Sequence, residues 1–219
     1  MKNLLLYSAL AAISFSLVSC DDEDNPQTVN PPTVYDNYAQ LKTGNYWIYQ
    51  HYLVDSLGNG SPLQEFDSCY VEKDTVINGN TFYKVIRPDD LTLEADVFYW
   101  RDSLSYLVTP EGKLVFSSED FTTIFDSSYY VVNTNDTVTK ITTKMADPNQ
   151  SISVPAGTFN TINRKATYLM YNNWASAGTY RYRHTRYALN VGIVAETFPF
   201  FVSNPFYTER RLVRYHLAP

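Results

Sequence analysis

The two cysteines carry the plainest chemistry in the chain, and their neighbours assign them opposite roles. Cys69 stands in Asp67-Ser68-Cys69-Tyr70-Val71, a strand-like run with Glu65, Asp67 and Glu72 close by in sequence. A reactive thiolate needs a positive neighbourhood that lowers its pKa, so Cys69 is expected as a buried, inert thiol. Cys20 follows a positive start at Lys2, an apolar run from Leu4 to Leu17 and the small Ser19. That order reads as an export leader ending just before Cys20, and the run is short of the roughly 20 apolar residues that span a bilayer. Other chemistries find no spacing to support them. His51, His184 and His216 are far apart, and no His-Glu-x-x-His, Cys-x-x-Cys, Gly-x-Ser-x-Gly or phosphate-cradling glycine loop occurs. Asp55-Ser56-Leu57-Gly58-Asn59-Gly60 lacks the alternating acids and late glutamate of a calcium loop and reads as a turn. Adjacent carboxylates such as Asp89-Asp90 and Glu119-Asp120 would point to opposite faces of a strand rather than at one substrate. No catalytic residue, metal ligand or cofactor is expected, and the chain reads as a non-enzyme.

Leu17-Val18-Ser19-Cys20 resembles the lipobox of bacterial lipoproteins. The resemblance implies that Cys20 becomes the first mature residue and carries acyl chains on its sulfur and amine. Several chains on one residue anchor firmly, because a single chain binds a membrane only marginally. Asp21-Asp22-Glu23-Asp24 and the Asn- and Pro-rich stretch behind it bury almost nothing, so residues 20–37 are expected as a tether. The acidic run is either a solvated spacer or, as it resembles the surface-export signal of Bacteroidetes-type lipoproteins, a mark for the cell surface. The expected location is the outer membrane, lipid-anchored and surface-exposed, with its periplasmic face as the alternative. A formal charge of −6, more negative once Lys2 is removed, argues against nucleic acid as a partner.

The elements that would position any site are strands. Aromatic residues make up 16% of the chain, 19 of them tyrosine, and long helical periodicity is absent. Asn45 to Val54 alternates, with Tyr46, Ile48 and Tyr52 on one face and Trp47, Tyr49 and Leu53 on the other. Two further strands, Leu63 to Ile77 and Thr81 to Arg87, meet across Asn78-Gly79, a strong hairpin signal. Further strands are expected at 96–101, 105–109, 113–117, 129–134, 137–145, 151–154, 158–171, 180–187, 192–197 and 207–216, with turns at Pro110-Glu111-Gly112, Asp147-Pro148-Asn149 and Pro155-Ala156-Gly157. The chain therefore divides into a leader at 1–19, the tether at 20–37 and one β-rich domain at 38–219. Its fold class is all-β, an antiparallel meander forming a curved sheet, half-barrel, barrel or sandwich.

Leu41-Lys42-Thr43-Gly44-Asn45-Tyr46-Trp47-Ile48-Tyr49, Val154-Pro155-Ala156-Gly157-Thr158-Phe159 and Val191-Gly192-Ile193-Val194 together resemble a large class of uncharacterised Bacteroidetes lipoproteins. That resemblance implies an all-β envelope domain and brings no catalytic residues. Recognition is expected at two places. Trp174, with Tyr171, sits in a polar loop where a flat ring could stack on a sugar or another planar ligand, or fold back as a lid. Phe200 belongs to a Pro-broken apolar stretch, Phe198 to Tyr207, that could line a groove or cap the core. The favoured function is a membrane-anchored binding module whose partner is a glycan, peptide or protein. Alternatives are a periplasmic carrier or chaperone of lipid or lipoprotein with an apolar half-barrel, and a hydrolase with dispersed acids. A cavity above roughly 300 Å³ lined by aliphatic side chains would favour the carrier. Finally, Asp-Ser or Asp-Thr before an apolar residue resembles the O-glycan acceptor of Bacteroidetes extracytoplasmic proteins. Ser56 and Thr137 are the best placed of these, ahead of Thr75 and Ser103.

Overall fold

A computed structural model of the chain describes residues 34–88, 95–133, 136–201 and 207–219, all within one compact unit, Val34–Pro219. The leader, Cys20, the acidic run, Asp89-Asp90, Asn135 and part of the Phe198 to Tyr207 stretch lie outside the described residues. Among those described, twelve strands form: β1 (Tyr46–Val54), β2 (Gly60–Ile77), β3 (Asn80–Pro88), β4 (Ala95–Ser103), β5 (Tyr106–Val108), β6 (Leu114–Ser117), β7 (Asp126–Asn133), β8 (Asp136–Val154), β9 (Gly157–Met170), β10 (Tyr180–Ala188), β11 (Gly192–Pro199) and β12 (Tyr207–His216).

They join one antiparallel sheet in the order β6-β5-β4-β3-β2-β1-β12-β11-β10-β9-β8-β7. Two six-strand meanders thus run outward from a central pair made by the first and last strands. The sheet curls into a nearly closed barrel, which selects one of the all-β architectures left open by the sequence. Its edges, β6 and β7, are not hydrogen-bonded to each other. Side chains bring β6 against the opposite half instead: Arg164 Nε donates to Val115 O at 2.8 Å, and the Phe116 and Tyr187 rings lie 4.4 Å apart.

Local chemistry accounts for the turns. Asn78 and Gly79 take φ of +50° and +77°, the paired positive values of a hairpin turn that matches strand twist, and Ile77 pairs with Asn80 across it. On β1, Trp47 and Tyr49 are buried as expected, but Leu53 on the same face is 39% exposed. One expectation is corrected. Asp147-Pro148-Asn149 does not end a strand: β8 runs through it, and only the ladder to β9 shifts, between Ala146 and Gln150. Asp147 and Asn149 adopt φ of +46° and +61°, so the segment is a bulge that bends the hairpin. Its proline costs no ladder bond, because a bulge leaves a residue unpaired.

The bulge also sets up a titrating group. Asn163 Nδ2 donates to Asp147 Oδ2 at 2.8 Å and lies 2.9 Å from His184 Nδ1, while Arg186 pairs with Asp147 at 3.3 Å. Burial, then Arg186 and Lys165, push the His184 pKa down to about 4, against the raising effect of Asp147. A depressed histidine is stabilising above its unfolded value near 6.5, and that contribution is lost as pH falls through the window from about 6.5 to 4. The loss amounts to at most about 3 kcal/mol. In an NMR titration His184 is expected to stay neutral at pH 5; a midpoint near 6.5 contradicts this.

The three motifs, residues 41–49, 154–159 and 191–194, meet at the β1–β12 seam. Trp47 Nε1 donates to Val191 O at 2.6 Å, and Tyr49 Oη donates to Ile193 O at 2.9 Å. Gly192 has φ +106°, and a Cβ there would stand 2.8 Å from Trp47 Nε1. β12 is paired with β11 only from Tyr207 to Arg211; beyond that, the β8–β9 hairpin tip donates Ala156 N–H to Leu212 O at 2.9 Å. Val154, Ala156 and Phe159 pack on the same core. Asn45, also buried, donates to Gln40 O and accepts from Ala218 N, both at 2.7 Å. The motifs therefore help to close the fold.

Cys69 is 6% exposed, as expected, but its surroundings are not purely acidic. Burial pushes the thiol up to about 11 even though Arg87 and Arg210 act to lower it. A disulfide exchange reagent at pH 8 is expected to label it only after unfolding; rapid labelling of the folded protein would contradict this burial.

Candidate functional site

Beyond the apolar core, the barrel interior turns abruptly polar, one layer along each strand. The ladders place His51 opposite Arg210, Arg210 opposite Glu196, Glu196 opposite Thr185, and Thr185 opposite Arg164. This row crosses β1, β12, β11, β10 and β9. Because a strand repeats its facing every two residues, the same strands carry Tyr49, Leu212, Val194, Tyr187 and Ile162 in the layer before it, all buried. From the other half of the sheet, Arg87 follows Val85 on β3 in the same way, and Asp67 precedes Cys69 on β2.

Glu196 is the centre of this layer and is 1% exposed. Its carboxylate accepts from Arg87 Nη2, Arg210 Nη2 and Thr185 Oγ1, the last at 3.2 Å, with Arg183 Nη2 at 3.7 Å. Burial alone would push the carboxyl up; the Arg87, Arg210 and Arg183 guanidiniums outweigh it and hold the group well below the usual carboxylate range. The same carboxylate raises the pKa of Arg87 and Arg210 against their own burial. Arg210 also donates to Asp67 Oδ2 at 3.1 Å, and His51 Nε2 lies 2.7 Å from that oxygen. Aromatic faces brace the cations: Arg87 over Trp100 at 5.8 Å, Arg183 over Phe198 at 4.4 Å and Arg210 over Tyr49 at 5.5 Å.

A cavity of about 390 Å³ opens on this cluster. Arg87, Arg164, Arg183 and Glu196 supply its charged wall, Phe98, Trp100 and Tyr187 its aromatic wall, and exposed Asp96 part of its lining. The apolar core beside it retains only about 20 Å³ of free space. Such an arrangement can bind and orient an anionic or polar group while stacking a flat one. Among the described residues, no group of three or more His, Cys, Asp or Glu is placed to hold a metal ion, and no helix is long and apolar enough to cross a membrane.

None of the residues singled out for recognition lines this cavity. Trp174 lies in a 3-10 turn, Asn172–Ala177, half-buried, with Nε1 donating to Asp136 Oδ1 at 3.1 Å. Tyr171 is half-buried and gives its N–H to Val138 O at 3.0 Å. Phe200 is 40% exposed, and its carbonyl accepts from Arg181 Nε at 3.2 Å. Ser56 is exposed in a turn, whereas Thr75, Ser103 and Thr137 lie in strands and are half-buried. The residues that build the site, Arg87, Arg164, Arg183, Glu196 and Arg210, were not among the expectations. Their signal was parity: Arg87, Arg164, Glu196 and Arg210 each share a strand face with a buried apolar residue two positions away, and Arg183 with buried Thr185.

No protein-family model and no curated protein matches the chain. Two solved structures resemble it. One is an exported-protein candidate with a YmcC-like fold from Bacteroides fragilis, 14% identical, TM-score 0.49, covering 83% of this chain and 99% of its own. The other is a lipoprotein candidate from Parabacteroides distasonis, also 14% identical, TM-score 0.42, covering 84% of this chain and 100% of its own.

Proposed function

We propose that the chain is an acylated envelope lipoprotein whose barrel is a non-enzymatic binding module, with the arginine-lined cavity as its ligand site. The cavity carries this reading: about 390 Å³ of space beside a filled apolar core, with Arg87 and Arg183 in its wall braced by aromatic rings and paired with Glu196. Preformed concave sites with a few convergent polar groups are where small ligands bind. Binding is favoured over proton-transfer chemistry because Glu196 is held ionised by its arginines, so it has no proton to give, and both of its oxygens already accept hydrogen bonds. The charged lining of this cavity and the apolar core beside it, with about 20 Å³ free, weigh against the lipid-carrier reading.

Anchorage at the outer membrane rests on the lipobox through Cys20, and surface exposure on the resemblance of Asp21-Asp22-Glu23-Asp24 to an export signal, with the periplasmic face as the alternative. Cys20→Ala is expected to abolish labelling by an alkyne fatty acid and leave unprocessed precursor; persistent labelling overturns the anchor. For the site, native mass spectrometry of the detergent-solubilised protein from its own envelope is the test. A small-molecule adduct released by denaturation is expected, and a mass equal to the lipidated polypeptide alone counts against a resident ligand.

A further inference from the structure

We infer that the cavity takes a small molecule bearing an oxyanion, a carboxylate, sulfate or phosphate monoester, which pairs with Arg164 while its flat or apolar part lies against Trp100 and Phe98. This deepens the reading of the cavity as a ligand site and rests on it. Arg87, Arg183 and Arg210 all stand within ion-pair distance of Glu196, and Asp96 is exposed at the cavity. Arg87 and Arg210 are committed to Glu196. Arg164 is different: its Nε donates to Val115 O at 2.8 Å, and among the described residues no carboxylate lies within ion-pair distance of it. Protein surrounds its guanidinium, yet the residue keeps accessible surface because it faces the cavity.

A guanidinium out of bulk water without a counter-charge is costly. An oxyanion in the cavity supplies that counter-charge and finds the planar fork that carboxylates, sulfates and phosphates pair with in two parallel hydrogen bonds. Burial, with Arg183 and Arg87, depresses the Arg164 pKa against the raising effects of Tyr187 and Glu196, in keeping with a guanidinium that makes no direct ion pair. Size narrows the class further. At the ~30 Å³ that a liquid water occupies, 390 Å³ holds about a dozen non-hydrogen atoms. That suits a monocyclic acid or ester.

The competing role for Arg164 is a strap, its Val115 bond tying β9 to β6. Calorimetry on the full-length mature chain separates the two. The probes are benzoate, phenyl sulfate and phenyl phosphate, the neutral benzamide, and inorganic phosphate and sulfate. At least one aryl anion is expected to bind at least tenfold more tightly than benzamide, and Arg164→Gln to reduce that preference tenfold or more. Arg164→Lys, which keeps the charge and loses the fork, should retain part of it and serves if the Gln variant does not fold. An inorganic anion binding as tightly as its aryl ester removes the aromatic-wall part of the inference. Benzamide binding as tightly as benzoate, with loss on Trp100→Ala, overturns the anion class and leaves the ligand site standing. An anion preference unchanged in both Arg164 variants makes the residue a strap and overturns its assignment.

Discussion

Replacing Glu196 with glutamine is expected to lower the unfolding free energy by about 3–5 kcal/mol, enough to remove most of the stability of an ordinary domain. Glutamine keeps the shape and some hydrogen bonding, so packing is hardly altered. What changes is charge: Arg87, Arg210 and Arg183 then face one another with the buried counter-charge gone from their centre. Breaking one side of a buried ion pair is far more damaging than replacing the whole, so Glu196→Gln with Arg87→Met is expected to recover part of the loss. Urea unfolding of the four proteins in the cycle measures this. A single-variant loss below about 1 kcal/mol would mean that the cluster is hydrated and the cavity open to bulk water. The pH dependence has a definite sign. Because the folded Glu196 carboxyl sits well below its usual range, its contribution is present above the unfolded value of 4.5 and falls away as pH drops below that. His184 loses its share in the window just above, so both groups make the protein acid-labile.

Much of the fold was legible because strands of this chain alternate clearly and its turns use residues with mechanical roles. Asn78-Gly79 makes a hairpin because both residues accept positive φ, and Trp47 and Tyr49 point inward because they share parity. Asp147-Pro148-Asn149 misled for a physical reason: the composition that makes a turn also makes a bulge, and only the register of β8 with β9 tells them apart. The site was less legible. Charged residues on strands usually face water, so Arg-Tyr-Arg-His-Thr-Arg-Tyr, residues 181–187, reads as a solvated edge. It becomes a cavity wall only because β10 lies between β9 and β11, where Thr185 stands opposite both Arg164 and Glu196. The partner that completes the cluster, Arg87, stands 109 residues from Glu196 in the chain. Trp174 drew notice as a ring among polar neighbours, and the structure gives its indole N–H a partner in Asp136 rather than a place at the cavity.

Gly192→Ala is expected to destabilise by about 2–4 kcal/mol, a large effect for one methyl group. Two independent costs add here. The backbone at φ +106° lies outside the region that L side chains accept readily, at about 1–3 kcal/mol. The new Cβ would also stand 2.8 Å from Trp47 Nε1, 3.0 Å from Cε2 and 3.1 Å from Cζ2, which forces the indole off its bond to Val191 O. The flexible end of a long side chain could swing aside, but this ring is buried and hydrogen-bonded where β1 meets the loop before β11. Trp47→Leu removes the obstructing ring and by itself costs about 3 kcal/mol through the space it leaves. In that background the steric part of Gly192→Ala vanishes and only the backbone strain of about 1–3 kcal/mol remains. The two substitutions are therefore expected to be non-additive by at least about 1 kcal/mol in a double-mutant cycle read by urea unfolding. Additive losses would place the whole cost of Gly192→Ala in the backbone and show that Trp47 yields freely, which its fixed position in the seam argues against.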